Sequence, residues 1–552
     1  MKIIHRVGWG AAVALPLAFL AYFFLFPIGS MLVKGITVTG VGASEDSFLG
    51  GVADVLGDKN TWQIILQTLR MALAGTVFSV ILGIPGAYTL YCLDFPGRQL
   101  LRGIITVPFV LPTVVVGIAF RALFDGPFAF LGLAGTTRAI VVAMVFFNFS
   151  VIARTVGTMW ANLDPRPSLA ARTLGASPAR AFFTVTLPQL MPAAAAGAGL
   201  VFLYCSTAYG IVTTLGNPGY GTLETEIYTQ TVAYFNLDRA AIFSLLQFVL
   251  VFCTLVVTTS LSERTETALK VRRRPYRSVR RQDCPAMFLT LLTVVFVALP
   301  LATLVLRSLR ENGQWSLYYY RSLGQTTKDF VAGTPVAEAL VHSVKIALDA
   351  TCVTLLVGVP LTLVLSHRVT GVLARCQKIL DGLVLLPAGV STVTVGFGFL
   401  LTFAGTAVGD SPMFVPLAQS VVALPLFIRA LVPLLRAIDP RMREAAATLG
   451  ASSGQIVRTV DLPFMFRGLG LATGFAFAVS LGEFGATSFL ANPAYQTLPV
   501  TIVKLLAHPG KHNYGMALAG AVVLAVVTAG TMMLAEMCSA RDAKEKRSRW
   551  RN

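Results

Sequence analysis

Charged residues are scarce in this sequence. Asp, Glu, Lys and Arg make up 13% of its 552 residues, where a soluble domain carries roughly 25%. That shortfall excludes a secreted enzyme, a nucleic-acid-binding domain or a coiled coil as a description of the whole chain. Cysteine occurs only seven times, an odd count with no C-x-x-C pair, so neither a disulfide framework nor a zinc site is supported. A G-x-x-x-x-G-K-[ST] phosphate loop and an H-E-x-x-H pair are both missing. The chain therefore has no usual means of cradling ATP, and no catalytic residue, cofactor or metal ligand is assigned to it.

What the sequence has in excess is apolar length. Hydrophobic residues account for 55% of the chain and lie in runs of about 20, long enough to cross a hydrocarbon core of ~30 Å. Runs of this length predict helices, because membrane strands need only ~10 residues. The fold class is an all-α polytopic membrane protein of twelve spans. In the first half they cover 9–32, 62–92, 101–124, 138–160, 188–214 and 240–261. In the second half they cover 286–307, 338–366, 380–404, 412–436, 464–490 and 515–537. The first run, from about Val7, is too long for a signal-peptide core and is read as a span that stays.

The net charge of +18 follows the same plan. Basic residues collect between spans, most densely in Glu263–Asp283, which holds Arg264, Lys270, Arg272, Arg273, Arg274, Arg277, Arg280 and Arg281. The tail repeats this with Arg541, Lys544, Lys546, Arg547, Arg549 and Arg551. With twelve spans the N-terminus, this linker and the tail fall on one side, which the positive-inside rule makes the cytoplasm. The bilayer surface, not nucleic acid, is the partner this charge implies.

The chain also repeats itself. Asp164–Pro188 (DPRPSLAARTLGASPARAFFTVTLP) matches Asp439–Pro463 (DPRMREAAATLGASSGQIVRTVDLP) at a shift of 275 residues. The same shift carries Gly83-Ile84-Pro85 onto Gly358-Val359-Pro360 and Tyr209-Gly210 onto Phe484-Gly485. Around Pro108 and Gly117 the shift is 279, onto Pro387 and Gly396. Two copies of one six-helix unit are expected, 1–262 and 285–538, joined by the basic linker 263–284 and followed by the tail 539–552. An even number of spans per copy makes them parallel repeats, related by a pseudo-two-fold axis along the membrane normal.

The duplicated segment lies between the fourth and fifth spans of each copy, on the linker's side. Its pattern is E-A-A-x-x-x-G, nine residues, a β-branched residue, x, then L-P. The second copy supplies Glu444, Ala445, Ala446, Gly450, Val460, Leu462 and Pro463; the first supplies Ala170, Ala171, Gly175, Val185, Leu187 and Pro188, with Leu169 in place of the acid. Small alanines permit close approach of a partner, and glycine permits the left-handed turn that ends a short helix. Asp164 and Asp439, each ahead of a proline, are predicted N-caps.

This pattern resembles the cytoplasmic coupling loop of type I ATP-binding-cassette (ABC) importer permeases, whose alanine-rich helix docks on an ATPase subunit. The two-unit fusion and the run Gly219–Tyr228 look most like the ferric-iron and thiamine permeases. The run Ser480–Thr487 is similar to molybdate and sulfate permeases. The resemblance implies a permease subunit of the bacterial plasma (inner) membrane, both termini cytoplasmic, partnered by two ABC ATPase subunits and an extracytoplasmic binding protein. ATP and magnesium would then be held by the ATPases, and cargo would move by alternating access. An oxyanion is the alternative cargo, and a 6+6 ion-coupled secondary transporter the alternative class.

Polar residues within the spans are the remaining candidates, since charge in a bilayer is costly. Glu483, whose counterpart is Ala208, is a candidate for the translocation path with Tyr209 and Phe484, or else a structural hydrogen-bonding group. Arg70 and Lys345 occupy equivalent places and read as interfacial side chains that snorkel. Asp349 stands one turn after Lys345, the spacing of an i,i+4 pair. Glu224 and Glu226 are expected on a solvated loop face.

Overall fold

The computed structural model describes residues 14–37, 50–217, 221–263, 276–325, 333–366, 372–492 and 495–549. Among these, nine helices are long and apolar enough to cross a membrane, or up to twelve if each of three bent pairs counts as one span. The nine are Ala14–Ile36, Lys59–Cys92, Thr137–Asn162, Pro178–Ser206, Leu237–Thr258, Arg281–Ser308, Val336–Ser366, Phe414–Arg436 and Lys511–Met537. Residues 264–275 of the linker, residues 218–220, Pro493 and the last three residues of the tail lie outside the described residues.

The expected third and ninth spans are not continuous. The third breaks into Arg98–Val110 and Thr113–Phe124, bent by 105°, and the ninth into Gln377–Gly389 and Thr392–Phe403, bent by 97°. Proline explains the first break: Leu111 precedes Pro112 and takes ψ 141°, the extended conformation that a following proline enforces. A hydroxyl explains the second, since Ser391 at φ −64°, ψ 145° accepts from the Val393 and Thr394 amides and so caps a new helix. The expected spans 188–214 and 464–490 are likewise interrupted. Leu187–Ser206 gives way to a separate helix Gly210–Leu215, and Leu462–Leu481 to Gly485–Leu490.

The helices gather into two compact units, neither contiguous in sequence. The unit carrying the first loop comprises Val55–Glu226 and Leu246–Ser316; the unit carrying the second comprises the described residues of Met1–Asp54, Ile227–Leu245 and Leu317–Asn552. Each therefore takes its leading helix from the other half of the sequence. In the second-loop unit, Phe23 of helix Ala14–Ile36 packs on Phe399 (6.3 Å) and Phe403 (5.9 Å). In the first-loop unit, Phe296 of helix Arg281–Ser308 packs on Phe120 and Phe146, both at 6.0 Å. Aromatic pairs at such separations add specificity to the area they bury.

Close helix crossings rest on small residues, as expected where lipid supplies no hydrophobic drive between helices. A Cβ on Gly83 would lie 2.6 Å from Ile152, and one on Gly358 would lie 2.6 Å from Phe427. These are the repeated glycines of Gly-Ile-Pro and Gly-Val-Pro. Threonines satisfy themselves inside helices, as Thr68 does on the Ile64 carbonyl (2.8 Å) and Thr362 on that of Gly358 (2.7 Å). The end of the linker is tied down as well. The buried Asp283 carboxylate accepts from Tyr88 (2.7 Å), from Arg277 (2.6 Å) and from the Arg280 amide (2.8 Å).

A crossing against backbone carries a prediction. A Cβ on Gly396 would meet the Ala486 backbone at 2.6 Å, whereas one on Gly382 meets nothing within 4 Å. Gly396→Ala should destabilise by about 1–3 kcal/mol, the cost of overpacking, and Gly382→Ala should not. Thermal unfolding of the two purified variants, compared with the native chain, measures the difference.

Candidate functional site: the two repeated loops

Both loops fold to one local design. Asp164 accepts from the Arg166 amide and Asp439 from the Arg441 amide, each at 3.0 Å. The short helices that follow, Arg166–Thr173 and Pro440–Thr448, end identically. Gly175 (φ 90°) and Gly450 (φ 86°) take the left-handed conformation. The Ala176 amide donates to the Ala171 carbonyl and Gly175 to Arg172; Ala451 donates to Ala446 and Gly450 to Ala447, all at 3.0 to 3.1 Å. These paired bonds are a Schellman closure, which a residue with a side chain disfavours at the glycine position.

The helices present matching surfaces. Ala170, Leu169, Glu444 and Ala445 are exposed, and Ala171 and Ala446 are half-buried. Leu174 and Leu449, just ahead of each glycine, are both 88% exposed; one exposed leucine is ordinary, but here the same one recurs at the same place in both loops. Sequence reasoning had passed these two leucines over, although the identical run Thr-Leu-Gly-Ala-Ser in both loops was the available signal. Beyond the glycines the chain turns through Pro178–Ala181 and Ser453–Ile456 into helices that begin at Leu187-Pro188 and Leu462-Pro463. Gly450–Gly454 spells G-x-S-x-G, but Ser452 there forms a capping pair with Gln455 (2.7 and 3.4 Å) between two helices. It is not a nucleophile elbow, which needs a strand-to-helix turn.

Comparison with known proteins agrees with this geometry. Residues 75–266, which include the first loop, match the family described as "Binding-protein-dependent transport system inner membrane component". The thiamine transport system permease protein ThiP of Brucella abortus is 27% identical over 517 residues, covering 89% of this chain and 90% of that protein. Its counterpart in Escherichia coli is 26% identical over 466 residues, or 80% and 83% of the two chains. The sulfate transport system permease protein CysT of Salmonella typhimurium is 34% identical over 169 residues, 29% of this chain and 61% of that one. Residues 75–266 thus match the binding-protein-dependent transport family, and similarity to permeases runs over nearly the whole chain.

As a permease it is the non-catalytic transmembrane component of an ABC importer, and such a system implies ATPase and binding-protein partners. The family binds no cofactor of its own, ATP being used by the partner ATPases. It is a multi-pass protein of the inner membrane.

The permease anchors its two loops by different chemistry. In the second, Arg443 holds the buried Asp461 carboxylate through Nε and Nη2, each 2.8 Å from Oδ1, and Nη2 also donates to the Leu435 carbonyl at 3.4 Å. The first loop has Ser168 and Thr186 at those places. There Phe182, from the loop, stacks on Trp160 at 5.7 Å, and Trp160 meets Tyr88 at 5.0 Å. An ion pair in one loop thus replaces an aromatic stack in the other. Neither Arg443 nor Asp461 stands out in the sequence, because the partners are 18 positions apart and only the fold brings them together.

The remaining candidates fall at the helix breaks. Tyr209 and Phe484 are both buried and cap the short helices Gly210–Leu215 and Gly485–Leu490. The Glu483 carboxylate, buried, accepts from the Ala486 amide (2.7 Å), the Thr487 amide (2.9 Å) and the Thr487 hydroxyl (2.5 Å). Two sequence expectations fail. Lys345 and Asp349 form no ion pair among the described residues; a cation placed N-terminal to its acid is the weaker i,i+4 order. Glu224 is fully buried instead of facing solvent, while Glu226 is half-buried.

The ion pair yields a prediction. Arg443→Ala leaves a buried carboxylate without its cation and should cost about 3–5 kcal/mol. Replacing the pair together, as Arg443→Met with Asp461→Leu, should recover most of that. Denaturation of the single and double variants tests the coupling; equal loss in both would show that the pair is not the anchor.

Proposed function

We propose that the Asp164–Pro188 and Asp439–Pro463 loops are cytoplasmic and that each receives one ATPase subunit. The single observation that supports this is the duplicated closure: two capped helices, each ended by a left-handed glycine and each presenting an 88%-exposed leucine. A rigid short helix with an uncovered apolar residue suits a docking element that must pass on force. On this reading Asp164, Ala170, Ala171, Gly175, Leu187 and Pro188 serve one ATPase. Asp439, Glu444, Ala445, Ala446, Gly450, Leu462 and Pro463 serve the other. Leu169 opposite Glu444 makes the two contacts chemically unequal. ATP-driven closure of the ATPases moves the loops, and the helices attached to them carry the motion to the buried breaks at Tyr209 and Phe484, so that access alternates. Glu483 acts there by fixing the second break.

The cargo on this reading is thiamine. Relatives named for thiamine transport match almost end to end, at 89% and 80% of this chain; nothing specifically supports iron. A second reading, sulfate or a similar oxyanion, draws on the 34% identity to the sulfate permease over 169 residues. The sequence repeat supports two parallel six-helix copies, 1–262 and 285–538, with the basic linker, the tail and both termini on the cytoplasmic face.

Two outcomes are expected from proteoliposomes holding the permease, its ATPase and its binding protein. ATP-dependent uptake of labelled thiamine should appear, with labelled sulfate excluded; the reverse would favour the second reading. Leu174→Asp and Leu449→Asp, at exposed positions, should leave folding stability within roughly 0.5 kcal/mol. Each should lower uptake at least about ten-fold, as loss of an interface anchor does. Full uptake with both leucines replaced would remove the docking role.

A further inference from the structure

A cavity of about 860 Å³ opens within the first-loop unit, between helices Lys59–Cys92 and Thr137–Asn162, with Phe296 of a third helix at its floor. Its lining is divided. At one end stand Arg70 and Arg138 with Gln67; toward the other the wall is apolar, with Phe78, Val145 and Phe296. No carboxylate lines it. Both arginines are exposed, and neither is paired with an acid among the described residues. The Gln67 side-chain nitrogen is buried and finds no acceptor there, an expensive state for an amide donor.

Position gives the division its meaning. Arg138 is at the start of the helix whose other end, Asn162, leads into the first loop, so the cationic end lies about 36 Å from the loop face at 1.5 Å per residue. That distance places it at the headgroup level of the opposite leaflet. Arg70 to Leu82, which also lines the cavity, spans about 18 Å of helix, close to one leaflet of a ~30 Å core.

We propose that this groove binds an anionic glycerophospholipid from the leaflet opposite the loops. Its phosphate accepts from Arg70, Arg138 and the Gln67 amide, and one acyl chain lies along Phe78, Val145 and Phe296. Guanidinium groups favour a phosphate that they can bond directly. The apolar wall asks for a chain that a free anion lacks. Lys345 stands at the matching place in the second copy, but Met413 or its neighbours stand where Arg138 would repeat, so the site belongs to the first-loop unit alone.

The test uses the full chain purified in detergent, with native mass spectrometry counting retained lipid and thermal unfolding measured in parallel. The probes are phosphatidylglycerol, phosphatidylcholine of the same acyl chains, and inorganic phosphate. Phosphatidylglycerol should be retained preferentially and should raise the unfolding temperature. Arg70→Gln and Arg138→Gln should each reduce that preference about five-fold, as one interfacial cation does. Ala74→Phe, which narrows the groove, should lower retention with both arginines in place. Equal retention of the two lipids by the native chain, or an unchanged preference in the double arginine variant, overturns the proposal. Protection by inorganic phosphate equal to that by phosphatidylglycerol overturns it too. None of these readouts depends on transport, so they stand apart from the cargo assignment.

Discussion

A backbone amide or carbonyl left unsatisfied in hydrocarbon costs several kcal/mol, and this constraint governs where the permease is able to interrupt a helix. It does so in corresponding places of the two units, and each interruption is buried in protein. The break at Leu111-Pro112 packs through Thr113–Phe124 against Gly210–Leu215, and that at Val390-Ser391 through Thr392–Phe403 against Gly485–Leu490. The contact is close enough that a Cβ on Gly210 would meet the Thr113 hydroxyl, and one on Gly485 that of Thr392. Broken helix is thus laid on broken helix, each half sheltering the exposed ends of the other.

The same constraint separates what the sequence could reveal from what it could not. Apolar length located nearly every span, because hydropathy and length are local properties. The breaks escaped it, because Thr113–Phe124 and Thr392–Phe403 continue the apolar run, more apolar still than the segments before them, and backbone conformation marks the join. Leu111-Pro112 offered a readable hint in its proline. Ser391 offered none, since a serine between apolar runs is as compatible with a continuous helix as with a cap. Nor does periodicity say which helices share a core. The packing of Phe23 on Phe399, and of Phe296 on Phe120, links segments far apart in the chain, information that a local pattern does not hold.

The loops were the most legible part, and for a physical reason. Caps and left-handed glycines are specified by the residues that form them, so Asp164, Asp439, Gly175 and Gly450 could be assigned conformations from their types and spacing. Anchoring of the loops was not legible, because it depends on partners brought together by the fold. Arg443 with Asp461, against Phe182 with Trp160, shows that one local shape tolerates two unrelated attachments. The electrostatic one sets two nitrogens on one carboxylate oxygen, while the aromatic one lays one ring over another. Two loops of equal outline are therefore held by different chemistry, and the apolar Leu169 stands on the loop attached by the stack.

Glu483 shows how an ionisable residue in an apolar segment becomes a structural part. The helix Gly485–Leu490 begins inside the protein and leaves amides at its first turn that no carbonyl precedes. Two of them, on Ala486 and Thr487, donate to the Glu483 carboxylate, and the Thr487 hydroxyl adds a third bond. Gln419 then donates to that hydroxyl at 3.1 Å, so the cap is joined to the neighbouring helix Phe414–Arg436. The first-loop unit has Ala208 at this place and no carboxylate; there the Thr213 hydroxyl donates to the Tyr209 carbonyl at 3.0 Å and the Thr214 hydroxyl to that of Gly210 at 2.7 Å. A negative charge is favoured at a helix start, and one already accepting three bonds has little capacity left for a passing cargo. The asymmetry between Glu483 and Ala208 is then one of how a break is held: by a carboxylate cap in the second unit and by threonine hydroxyls in the first.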